Sequence, residues 1–126
     1  MGASGESGAP PEHVPYLDHA AVDRRKLTDY LLSSAHPLGS AKSRFFSRLG
    51  FRPEEIDLLR EALIAHAAAN PVAAREVSAF GAKYVVDGPI ESPSGRKVSI
   101  RAVWFAERDE TIPRFVTAYP LKERTS

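Results

Sequence analysis

A lysine set into the apolar side of a helix, and a histidine six residues before it, are the first residues that could do chemistry. With side chains laid out at 100° per residue, Ala41, Phe45, Phe46 and Leu49 form one apolar arc, and Lys42 falls inside it. Arg44, Ser47 and Arg48 lie on the opposite side, where solvent-facing residues belong. A lysine at such a margin either snorkels, its stem packed and its ammonium in water, or opens into a cleft that holds an anion. His36 stands before Pro37 in the turn leading to the same helix. An imidazole, an ammonium and the free N–H groups of a helix start together suit a phosphate, although His36 could equally be a solvated loop residue. Arg101 sits mid-strand between Ile100 and Ala102, either as the water-facing side of a half-buried sheet or as an anion contact. Thr117 is a common strand residue and carries no signal of its own.

Other chemistries have less support. There is no cysteine, which excludes disulfides, thiolate metal sites and cysteine nucleophiles. No GxSxG, Walker loop or HExxH occurs, and no two histidines stand at i, i+4. His66 falls on the apolar arc of Leu59, Ala62 and Leu63 and reads as a core or helix-end residue, while His13 and His19 lie in or beside the lead-in. Trp104 and Phe105 read as core or sheet-covering residues rather than base-stacking ones. A site without metal or cofactor, built from His, Lys, Arg and Thr, is what remains.

The elements that must position these residues can be traced along the 126-residue chain, a length that suits one domain. Residues 1–17 form an acidic segment rich in Gly, Ser, Ala and Pro, expected to be flexible, and 18–122 form the domain. A first helix is expected over 18–32, a second from Ser40 to Gly50, and a third from Pro53 to about Ala69, stopped by Asn70-Pro71. Strands follow at Ala74–Phe80, Lys83–Val86, Lys97–Phe105 and Arg114–Tyr119, with a tight turn at Ser92–Gly95. Val98, Ile100, Ala102 and Trp104 share one face. Arg101 shares the other with either Phe115, Thr117 and Tyr119 or Arg114, Val116 and Ala118, depending on register. Helices first and strands after predict an α+β domain, with N-terminal helices packed on one face of a four-stranded antiparallel sheet.

Charge is distributed unevenly. Residues 1–23 carry four acids and no Lys or Arg, so the rest holds all 17 bases and the other 12 acids, a net of +5. That asymmetry agrees with an anionic partner and equally with a solubilising tail on an ordinary basic surface. No apolar stretch approaches a membrane span, and the N-terminus lacks a basic start and an apolar core of the kind used for export, so a cytoplasmic protein is expected.

Across residues 26–120 the chain resembles a small bacterial and phage-associated domain family. The residues that carry the resemblance are Lys26–Leu32, His36-Pro37-Leu38-Gly39-Ser40-Ala41-Lys42, Phe45-Phe46, Leu49-Gly50-Phe51, Gly81–Tyr84, Val86-Asp87-Gly88, Gly95-Arg96, Val98–Trp104 and Thr117-Ala118-Tyr119-Pro120. That family is similar to the barnase–EndoU–colicin–RelE-like ribonucleases, whose members tend to be metal-free RNA endonuclease toxins. The resemblance implies His36, Lys42, Arg101 and Thr117 as catalytic positions and Tyr84, Arg96 and Tyr119 as substrate contacts. It also implies RNA as substrate, and an acidic antitoxin or immunity protein as partner. One departure is Ala102, where a threonine or similar residue is expected. A non-catalytic RNA-binding module and an immunity-type interaction domain are the alternatives.

Overall fold

The computed structural model describes residues 13–23, Arg25, Leu27 and 40–121. It shows an α+β domain in which helix α1 (Ser40–Arg48) and helix α2 (Ile56–Ala69) precede four strands. These are β1 (Val72–Ser78), β2 (Gly81–Glu91), β3 (Lys97–Glu107) and β4 (Arg114–Pro120), paired antiparallel in the order β1-β2-β3-β4. A 3-10 turn at Pro53–Glu55, with proline at its start, leads into α2. Asn70 closes α2, its backbone N–H and its side-chain amide both donating to the His66 carbonyl.

The expected helix over 18–32 begins elsewhere. Leu17–His19 form a 3-10 turn, and Ala21 is extended and bridges β4 in parallel fashion at Arg114. The Ala21 N–H donates to the Pro113 carbonyl and the Phe115 N–H to the Ala21 carbonyl, both at 2.9 Å. Helical bonding starts only after Asp23, whose carboxylate accepts the Arg25 N–H at 2.9 Å in the manner of an N-cap. Apolar spacing alone could not find that boundary, because sheet edge and helix cap compete for the same residues. Val14, inside the stretch expected to be flexible, is buried.

Phe46, Leu49, Phe51, Leu59, Leu63 and Ala67 join Val86, Ile90, Ile100, Ala102, Trp104 and Ala118 in one core cluster. Burial alternates along β3, so that Ile100, Ala102, Trp104 and Ala106 face inward. Strand β4 follows neither register considered above. Thr117 pairs with Val103 but Phe115 pairs with Trp104, so Val116 is an extra residue, a β-bulge. The bulge switches the alternation. Phe115 and Ala118 both reach the core, while Thr117 and Tyr119 share the face of Arg101.

Candidate functional site

Arg101 lies at the centre of the sheet, directly opposite Asp87 on β2 and Tyr119 on β4. Its Nε donates to Asp87 Oδ1 and its Nη2 to Asp87 Oδ2, each at 2.8 Å. This is the planar two-pronged geometry that guanidinium and carboxylate favour. The Asp87 carboxylate, and after it the Tyr119 side chain, raise the Arg101 pKa above its already high value, so the cation is permanent at any working pH. Two of its five N–H donors are committed to Asp87. Thr117 stands one row along, opposite Val103. All four polar residues of this patch are half-buried rather than covered.

The same face carries other cross-strand acid–base pairs. Glu76 meets Lys83 at 3.4 Å, Glu91 meets Lys97 at 3.8 Å, and Glu107 meets Arg114 at 3.4 Å. The first two, like Asp87 and Arg101, stand at directly opposed ladder positions. Each of these pairs is solvent-exposed and worth at most about 1 kcal/mol. Their effect here is electrostatic. Every basic side chain that the central ladder presents on this face has a carboxylate beside it.

The sequence-predicted residues separate into three groups. Arg101, Thr117 and Tyr119 come together on one face. Tyr84 does not join them and lies on the opposite face of the sheet. Its even position on β2 turns it inward with Val86, where it is 7% exposed and has the Arg75 guanidinium 6.0 Å from its ring centre. Arg96 is exposed in the β2–β3 turn, about 17 Å along the strand from Arg101 at the usual rise per residue. His36 and the side chain of Lys42 lie outside the described residues, although the backbone at Lys42 is helical as expected.

His66 is a core histidine, 2% exposed. Its Nε2–H donates to the Gly88 carbonyl at 3.1 Å, while Nδ1 is buried and unpartnered. Burial lowers its pKa, and the backbone at Gly88 and Ile100 and the charge of Asp87 oppose that effect more weakly. Among the described residues, no three His, Asp or Glu side chains cluster closely enough to hold a metal ion, and no helix is long and apolar enough to cross a membrane.

Asp87 is the residue that sequence reasoning missed, though a signal for it was present. The Ser92–Gly95 turn sets Glu91 opposite Lys97, and four steps outward along each strand bring Asp87 opposite Arg101.

These features define an α+β domain whose antiparallel sheet presents a charge-balanced polar face centred on an arginine. The chain belongs to the family described as a domain of unknown function (DUF6883), whose model matches residues 13–122. No curated protein matches it. Among solved structures, it is similar to a chain of a contact-dependent growth inhibition toxin–immunity protein complex from Klebsiella pneumoniae 342. The likeness has a TM-score of 0.67 at 20% identity, and covers 81% of this chain and 100% of that one. At that identity the likeness establishes a shared fold.

Proposed function

We propose that this chain is the toxin member of a toxin–immunity pair, and that it acts in the cytoplasm by cleaving RNA without a metal ion. The observation that supports membership of such a pair is the likeness, over 81% of this chain, to a chain of a toxin–immunity complex. The grouping of Arg101, Thr117 and Tyr119 on one sheet face adds to it. Arg101 keeps N–H donors beyond the two held by Asp87, enough to contact a phosphate oxygen.

In the proposed reaction the ribose 2′-oxygen attacks the adjacent phosphorus, its proton passing to a base. The bond from phosphorus to the 5′-oxygen breaks, and that oxygen takes a proton from an acid. His36 is the titrating group for these transfers, an imidazole being the side chain that can both take and give a proton near neutral pH. Lys42 and Arg101 balance the phosphate charge and Thr117 donates to one of its oxygens. The products are 2′,3′-cyclic phosphate and 5′-hydroxyl ends.

The balanced charge of the sheet face favours a second reading, an immunity-type domain whose polar face is read by a protein. The discriminating experiment incubates the purified chain with total bacterial RNA in EDTA, beside folded His36→Ala, Lys42→Ala and Arg101→Ala variants, and sequences the ends. Cyclic-phosphate ends that fade by about 10²–10⁴ in each variant support the ribonuclease. Intact RNA, 3′-hydroxyl ends or a strict metal requirement refutes it. Activity that persists in His36→Ala removes His36 from the mechanism.

A further inference from the structure

The two edges of the sheet are treated differently. The β4 edge is bridged by the chain's own Ala21, which exchanges hydrogen bonds with Pro113 and Phe115. The β1 edge is paired on its β2 side, and its residues 73–78 are all exposed. An open edge offers unpaired backbone groups to any extended chain, and natural proteins usually blunt it with proline, lysine or an inward-pointing charge. Here the strand Val72–Ser78 contains neither proline nor lysine; its inward-facing charge is Arg75, and a register irregularity between Val72 and Ala74 leaves Ala74–Ser78 as the regular open stretch. The strand carries Val77 at 68% exposure, and Phe80 just past its end is 79% exposed.

Next to this edge, on the core side of the sheet, a cleft of about 310 Å³ is lined by Tyr16, Arg75, Val77, Ala82, Tyr84 and Arg108, among others. Tyr16 holds a left-handed backbone (φ 58°), uncommon for a residue with a side chain. A strand laid along β1 would turn alternate side chains toward Arg75, Val77 and this cleft.

We propose that the β1 edge is the docking site for an extended strand of a separate protein partner. That strand would carry a carboxylate opposite Arg75 and an apolar side chain opposite Val77. Charge selects this occupant. Glu76 is already matched by Lys83 across the β1–β2 ladder, whereas Arg75 contacts the Tyr84 ring and has no carboxylate partner among the described residues. A second copy of this chain suits the edge poorly. Two-fold antiparallel pairing that keeps the faces matched and centres on the middle of the strand sets Arg75 against Arg75, and like charges directly opposed destabilise a ladder. The inference rests on the partner half of the proposed function and is independent of the RNA chemistry.

The test co-produces the full chain with the product of the gene beside its own. Backbone hydrogen exchange is compared in the free chain and the complex, and affinities are measured for Val77→Lys and Arg75→Glu. Slowed exchange over residues 72–78, with affinity lowered about tenfold or more in each variant and the free chain's thermal midpoint unchanged, supports the docking site. A complex that leaves exchange at 72–78 and both affinities unaltered overturns it while the pair reading stands. Failure to form any complex overturns both. Concentration-dependent self-association abolished by Val77→Lys would assign the edge to a second copy and overturn the proposal as well.

Discussion

Acidification tests the placement of His66 most directly. The ring is wedged under the sheet with Nε2–H committed to Gly88 and Nδ1 enclosed without a partner, so a second proton would create a charge in a site that solvates it poorly. Its folded-state pKa is therefore depressed below 6.5, with desolvation as the leading cause. The unfolded chain takes up the proton first as pH falls. Stability from neutral His66 is thus complete above pH ~6.5 and is lost as pH drops from there toward the folded-state value. One proton of difference gives a slope of up to about 1.4 kcal/mol per pH unit. For a domain of this size that is several degrees in thermal midpoint per unit. Urea unfolding from pH 8 to 5 should show wild-type stability falling below pH ~6.5 more steeply than that of His66→Gln, with carboxylate titration common to both. Parallel curves for the two proteins, or an NMR titration of His66 with an ordinary midpoint, would refute the argument.

Two further perturbations probe the sheet. A double-mutant cycle on Asp87→Ala and Arg101→Ala, read by urea unfolding, should give a coupling of about 0.5–1 kcal/mol, because solvent screens a half-exposed pair even in two-pronged geometry. Because Arg101 stays protonated throughout, that coupling should not change between pH 7 and 9 on its account. Gly81 opens β2 with a φ of 148°, and a Cβ there would run into the Ala106 carbonyl oxygen and the Phe105 ring. Gly81→Ala should cost about 1–3 kcal/mol, visible as a lowered midpoint in a thermal melt.

The element order, the third helix with its Pro53 start and Asn70 stop, and the inward face of β3 were legible in the sequence, because each rests on local rules. Proline and asparagine punctuate helices, and strict alternation marks a half-buried strand. The start of the first helix was not legible, because Ala21 is claimed by a strand far along the chain. The facing of β4 was equally hidden, since a bulge leaves no periodic trace in seven residues. Tyr84 illustrates a different loss: a motif match gives a residue's address in the chain, while the side of the sheet it occupies follows from parity. Arg101 was flagged as a lone cation, and only the hairpin register shows that it has a companion in Asp87.

The extra residue at Val116 divides β4 into two stretches that answer to different neighbours. Phe115, before it, meets Trp104 edge-on with ring centres 5.5 Å apart and belongs to the packing interior. Thr117 and Tyr119, after it, belong to the polar face. Insertion or loss of a single residue here would act as a phase error. The downstream half would present Ala118 to solvent and drive Thr117 and Tyr119 into the interior, while the upstream half kept its place. The spacing between Phe115 and Thr117 is therefore a constraint distinct from the identity of either residue. A redesign of the polar face can vary side chains freely within it, provided the count between those two positions is kept.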